Sequence, residues 1–155
     1  MGAIRTILLK LGLADLSVKR APISVFLLDD DSRRHRWFKK RFKGDHLEIA
    51  ETVEEAKRLL PLGTYDAIFL DHDLLPHHYE SKSHDDFGRT GFAVAEWLAE
   101  NRDVQPAALI IVHTRNDRGA SKMVDVLGAA KRQVVAHCSS QVETRQRGRQ
   151  IKVRY

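Results

Sequence analysis

The sequence predicts a doubly wound α/β domain built on a five-stranded parallel sheet. Short, continuously apolar runs recur along the chain, each of strand length and bounded by turn residues. Most are followed by a segment in which apolar residues return at helical spacing. Three of the runs end in acidic or other polar residues, and the carboxyl ends of parallel strands are where such folds bind ligands. With 155 residues and 43% hydrophobic composition, the chain is long enough for a single shared core.

Residues 23–30, ISVFLLDD, read as the first strand and end in carboxylates. A helix follows from about Ser32, carrying Trp37, Phe38 and Phe42, and Gly44 stops it. Leu47 to Ala50 is the second strand. Thr52 with Glu55 forms a capping box for a helix running through Leu60, and Pro61 lies just beyond. Residues 65–70, YDAIFL, form the third strand, ending in Asp71, His72 and Asp73.

Leu75 to Arg89 is polar and rich in His and Asp, longer than most connections in such domains, and reads as a lid. Thr90 caps a helix whose Phe92, Ala95, Leu98 and Ala99 share one face. Residues 107–112, AALIIV, are the fourth strand, and Asn116 or Asp117 caps the helix that carries Met123, Val124 and Leu127. Gln133 to Cys138 is the fifth strand. Five strand-then-helix units imply right-handed crossovers with helices on both faces. The tail departs from this rhythm: Gly148 followed by the alternating Ile151, Val153 and Tyr155 suits a short turn and a small strand.

The domain is thus expected over residues 22–139, preceded by an amphipathic extension, 1–21, and followed by a basic tail, 140–155, of the same domain. Ile4, Ile7, Leu8 and Leu11 recur at helical spacing, which suits a helix docked on the domain; a helix that binds a protein partner is the alternative. The opening MGAIRT also matches the formal N-myristoylation pattern, a short match that recurs by chance. The apolar stretch is interrupted by Lys10 and Asp15 and resembles neither signal peptide nor anchor, and no run approaches the roughly 18 apolar residues of a membrane helix. A single cysteine, Cys138, forms no intramolecular disulfide and reads as a small buried hydrophobe, so a reducing, cytoplasmic compartment is expected. The formal charge of +5 favours anionic partners without identifying one. Oligomeric state is not readable.

In a sheet of order 2-1-3-4-5 the first, third and fourth strands are adjacent, and their ends share one crevice. That crevice would receive Asp29, Asp30 and Asp31, then Asp71 to Asp73, then His113 to Asn116. Carboxylates so crowded repel unless a cation lies among them. Mg²⁺ (or Mn²⁺) is the natural occupant, because it takes one or two carboxylates, keeps waters and commonly engages a phosphate. His113 could exchange a proton near neutral pH or stabilise developing negative charge. Asn116 and Gly119 open a helix whose free amides suit an anion, and Gly119 would let phosphate approach the backbone, while Ala120 and Met123 pack. His72, His77, His78 and His84 place half of the eight histidines in one segment, either a solvated lid or a transition-metal site.

These residues carry a resemblance. FLLDDDSRR and FLDHDL look like the first and third strand ends of a receiver domain of two-component signalling, over roughly residues 22–139. The resemblance implies a receiver/flavodoxin-like three-layer sandwich with strand order 2-1-3-4-5. It implies that Asp29, Asp30 and Asp71 hold the metal with the backbone carbonyl of Asp73, and that Asp71 stands at the phosphoacceptor position. Receivers normally place a small hydroxyl residue after strand four and a lysine after strand five; here those regions read VHTRN and VVAHCSS, and Lys131 lies before the fifth strand.

HTRNDRGASKM is instead similar to the cyclic-phosphate processing receiver-like domains, which carry a His-Ser/Thr-x-Asn segment followed by Gly, Ala and Met. That resemblance implies a metal-dependent phosphoesterase acting on cyclic phosphates of nucleotides or RNA ends. Asp71, His113 and Asn116 would be catalytic, with Asp71 as a covalent nucleophile an open variant, and Thr114, Asn116, Gly119 and the lid residue Arg89 would bind phosphate. Arg145, Arg147, Arg149, Lys152 and Arg154 could track an RNA backbone or form a solvated terminus. A noncatalytic receiver used in signalling or interaction, and a nucleotide or RNA-end sensor, are the competing readings.

Overall fold

Each apolar run forms a strand in the computed structural model, which describes residues 21–74 and 90–137. The strands are β1 (Ser24–Leu28), β2 (His46–Ala50), β3 (Ala67–Leu70), β4 (Leu109–Val112) and β5 (Val134–Ala136), all parallel, in the order β2-β1-β3-β4-β5. The order reverses between β1 and β3, so a topological switch point opens between their carboxyl ends. β1 stops at Leu28, two residues short of the carboxylate end expected from sequence, whereas β3 and β4 end at Leu70 and Val112 as expected. Their ladders nevertheless continue: the amides of Asp29, Asp71, His113 and His137 donate to Ala50, Leu28, Leu70 and Val112 carbonyls at 3.0, 3.0, 3.0 and 2.7 Å.

The helices are α1 (Ser32–Arg41), α2 (Val53–Leu59), α3 (Gly91–Glu100) and α4 (Asp117–Ala129). Asp31 caps α1 by accepting the Arg33 amide at 2.7 Å, and Gly44, at φ +90°, turns the chain out of it. Thr52 caps α2 through the Glu55 amide at 3.2 Å. The returning bond of the box goes one residue further out, from the Glu51 amide to the Glu55 carboxylate at 3.1 Å. Thr90 precedes α3 without a side-chain capping bond to it. Of the two candidates for α4, Asn116 is the cap, its Oδ1 accepting the Gly119 amide at 2.8 Å.

Alternation along the strands divides the core in two. Phe26, Leu28, Ile68, Leu70, Ile110 and Val112 face the side covered by α2, α3 and α4. Val25, Leu27, Ala67, Phe69 and Ile111 face Phe38 of α1 and Phe42 at its C-cap. Ala120 and Met123 pack in the first cluster as expected, whereas Trp37 is turned outward, 37% exposed. β5 lies at the edge, and Val135 is exposed there. No helix among the described residues is long and apolar enough to cross a membrane. The N-terminal helix, the lid over 75–89, Cys138 and the basic tail lie outside the described residues.

Candidate metal centre

Strand register decides which side chains meet. Leu28 of β1 stands level with Leu70 of β3, and Leu70 with Val112 of β4. The next residues, Asp29, Asp71 and His113, are therefore side by side, and period-two alternation directs them to the α1 face with Leu27, Phe69 and Ile111. Asp29 and Asp71 are buried, Asp30 partly so. One carboxylate oxygen from each of the three lies within 4.8 Å of the others.

Crowding and burial tell in their protonation. Asp71 is pushed up to about 7, first by loss of hydration and then by the Asp29 charge, against the opposing influence of Arg34 and the Thr114 hydroxyl that hydrogen-bonds it. Asp30 is raised too, by burial and by Asp29. A divalent cation would offset this crowded charge. The oxygens of a Mg²⁺ octahedron lie ~3–4 Å apart, so a small contraction of the three carboxylates suits Mg²⁺ or Mn²⁺ and leaves positions for water and an anion.

Arg34, a residue that the pattern of strand ends does not single out, already enters this space. Its Nε donates to Asp29 Oδ2 at 2.5 Å and its Nη2 to Asp71 Oδ2, with Asp30 and Asp31 oxygens 3.9 and 3.8 Å from the guanidinium. Burial opposes its charge, but the Asp29 hydrogen bond and the charges of Asp71, Asp29 and Asp31 outweigh that and hold its pKa above the ordinary value. The signal in the sequence was the i,i+4 spacing of Asp30 and Arg34 across the start of a helix. His35, one residue on, is buried with Nε2 2.6 Å from the Asp29 carbonyl oxygen and fixes the same turn.

His113 sits beneath the carboxylates rather than at the mouth. Its ring lies against Phe38 and Phe69, and Nε2 is 3.9 Å from Asp29 Oδ2. Burial lowers its pKa to about 4, against the pull of Asp29, so the imidazole is neutral at physiological pH. Among the described residues that buried Nε2 has no hydrogen-bond partner. Thr114 is buried next to it; its Oγ1, besides bonding Asp71, accepts the Asn116 amide at 3.2 Å. A hydroxyl thus reaches Asp71 although a histidine intervenes after β4.

An unpaired buried nitrogen costs stability, so His113→Leu is expected to stabilise the metal-free protein by about 1 kcal/mol at pH 7. Between about pH 6.5 and 4 the unfolded histidine takes up a proton that the folded one refuses, so wild-type stability falls with falling pH and the leucine's advantage widens. Urea denaturation at pH 7 and pH 5 measures both; a leucine variant weaker than wild type at both would mean that the imidazole is well satisfied.

The other residues of the pattern form a second cluster, on the α4 side. His72 is buried, with Nδ1 2.8 Å from Asp73 Oδ1, instead of belonging to the lid with His77, His78 and His84. The Asn116 amide nitrogen donates to Asp73 Oδ1 at 3.3 Å while its oxygen caps α4, so both ends of the amide engage the scaffold. The Asp73 carboxylate faces this cluster and is absent from the metal-ligand set, which leaves its backbone carbonyl for the ligand role expected of it. The space beside Gly119 is filled as well: a Cβ there would stand 2.4 Å from His72 Cδ2. Gly119 therefore admits the imidazole of His72, where the sequence suggested phosphate. Arg89 lies outside the described residues, as do Arg145, Arg147, Arg149, Lys152 and Arg154.

Comparison with known proteins bears on the family and the fold. A family model described as the cyclic-phosphate processing receiver domain matches residues 23–129. Among solved structures, the fold is shared with a response regulator from Burkholderia pseudomallei determined with a phosphorylated aspartic acid, calcium ion and citrate (19% identity, TM-score 0.54, 79% of this chain and 63% of that one). It is shared with a response regulator receiver domain from Methanospirillum hungatei (15%, TM-score 0.55, 78% and 84%). The regulator TrrA from Thermotoga maritima, in complex with Mg²⁺-BeF, is similar to the same degree (22%, TM-score 0.52, 76% and 89%). The chain spans less than two thirds of the Burkholderia protein, and at these identities the likeness is one of fold. No match to a curated protein sequence was found.

Proposed function

The chain belongs to the family of cyclic-phosphate processing receiver domains, and on that premise we propose that it is a metal-dependent phosphoesterase acting on cyclic phosphates of nucleotides or RNA ends. Asp29, Asp30 and Asp71 would hold Mg²⁺ or Mn²⁺ with the Asp73 carbonyl. When bound, such an ion polarises a phosphate oxygen and lowers the pKa of its water. The rest falls to the chain's own groups. The Thr114 hydroxyl, tied to Asp71, can turn toward a phosphate oxygen. The neutral imidazole of His113 can give or take a single proton or hydrogen bond at Nε2, next to Asp29. Asn116 acts through the scaffold, tying the start of α4 to Asp73.

His113 is the observation that supports this reading over phosphoryl storage. Its Nε2 is buried, without a hydrogen-bond partner among the described residues and 3.9 Å from a carboxylate. Such an atom costs stability, and an aspartyl-phosphate store has no need of it. The second reading, a noncatalytic receiver phosphorylated on Asp71, is favoured by the Thr114 hydroxyl at Asp71.

The test is incubation with Mg²⁺ or Mn²⁺ and a panel of 2′,3′-cyclic nucleotides, 3′,5′-cyclic nucleotides and RNA ends bearing a cyclic phosphate, beside a parallel incubation with acetyl phosphate. Metal-dependent ring opening, lost in His113→Leu with the fold intact, is the expected result. Stable labelling of Asp71 with no turnover on the panel would establish the receiver instead, and retention of intact cyclic ligand without turnover would make the protein a sensor.

A further inference from the structure

We propose that Arg34 is a resident counter-cation of the acid pocket, displaced by a divalent cation toward the mouth, where it becomes the arm that binds the substrate's phosphate. The inference rests on the metal-binding part of the reading above and goes beyond it, because it assigns one residue to two states of the site. In the structure the guanidinium bonds Asp29 and Asp71 and stands within 3.9 Å of Asp30 and 3.8 Å of Asp31. It therefore occupies the carboxylates that a metal would need. Its planar fork suits two carboxylates at once.

A guanidinium and a divalent cation a few ångströms apart repel, and both require lone pairs of the same oxygens. Binding of one must weaken the hold of the other. Arg34 has somewhere to go: it stands in the first turn of α1, with about a third of its side chain exposed (34%), on a long flexible stem. Neighbouring Arg33 does not duplicate it, being 81% exposed and paired with Asp31.

Displacement gives the cation a second use. A phosphate bound beside the metal needs a positive group at the mouth, and the chain after β5 continues with His137 and Cys138, not a lysine. Among the described residues, Arg34 is the cationic side chain that contacts both Asp29 and Asp71. Turned outward, its fork matches two phosphate oxygens as it matched two carboxylates.

The two states predict effects of opposite sign from one substitution. Three quantities are compared at one fixed pH in wild type, Arg34→Met and Arg34→Lys: Mn²⁺ affinity by calorimetry, melting temperature in chelator, and affinity for inorganic phosphate at saturating Mg²⁺. Arg34→Met is expected to bind Mn²⁺ about tenfold more tightly, since the competing charge is gone. It should melt lower in chelator and bind phosphate about tenfold more weakly when metal is present. Arg34→Lys, which keeps the charge but loses the fork, should fold, fall between the two in metal affinity and retain part of the phosphate binding.

Equal or weaker Mn²⁺ binding in both variants, or phosphate affinity that neither changes, overturns the proposal, as does a wild type that binds no divalent cation. Absence of turnover on the cyclic-phosphate panel would instead sink the phosphoesterase reading and leave these binding results standing.

Discussion

Asparagine in place of Asp71 is expected to lower metal affinity by about 100-fold or more, since even groups that only support a ligand are worth about 10–100-fold, and to remove metal-dependent opening of cyclic phosphates with it. The substitution is nearly isosteric and leaves an oxygen for the Thr114 hydroxyl, so the loss reads the charge and not the packing. In the absence of metal its effect reverses. Folded Asp71 keeps its proton up to about pH 7, while the unfolded residue releases it near its ordinary value of 3.8.

The wild type is therefore most favoured below that lower value and loses stability as pH rises through about 7. The asparagine variant lacks this slope and should be the more stable of the two at pH 8 in chelator. Denaturant unfolding at pH 5 and pH 8, with and without Mg²⁺, measures it. Parallel slopes in the two proteins would show that Asp71 ionises freely in the fold, and unchanged metal affinity would remove it from the ligand set.

The largest effect on stability is expected at a residue without a side chain. Gly91 opens α3 directly against the end of β3: its amide donates to the His72 carbonyl at 2.9 Å. A Cβ there would lie 1.8 Å from the Asp71 carbonyl oxygen and 3.3 Å from His72 Cα. Those neighbours are backbone of the strand that carries the site and cannot step aside as a side-chain tip would. Gly91→Ala should cost about 3 kcal/mol or more, the upper end for overpacking a tight site.

Gly128 supplies the control. It is the same residue type inside α4, with nothing within 4 Å of its Cβ position, and alanine there should stabilise by about 0.5–1 kcal/mol through helix propensity alone. Urea midpoints of the two variants should move in opposite directions. A neutral Gly91→Ala would mean that α3 does not enter against the strand end.

Much of this protein was legible along the chain because the deciding physics is local. The β1, β3 and β4 runs are continuous because parallel strands are buried on both faces. The Thr52 and Asn116 caps, the glycine stop after α1 and the acidic residues after β1 and β3 are each contained within a few residues. The motifs were therefore enough to predict the family and the strand order. Local reading failed where a neighbour is distant in sequence. His72 reads as one of a run of lid histidines, and only the first turn of α4, reaching the chain just after β3, places it beside Gly119. For Asn116, only the fold shows that the two ends of its amide bond the helix amide of Gly119 and the Asp73 carboxylate.

By itself, then, the sequence determined the elements, their order and the chemical content of the strand ends, because periodicity, capping and turn chemistry act over one or two turns of chain. Tertiary structure alone decided which of those groups face one another. The level register of Leu28, Leu70 and Val112 aligned Asp29, Asp71 and His113 on the α1 face, and burial there made the histidine neutral and the aspartate reluctant to ionise. The docking of α1 brought in Arg34. Charge and hydration energies depend on distances between residues tens of positions apart, and those distances exist only once the sheet has formed.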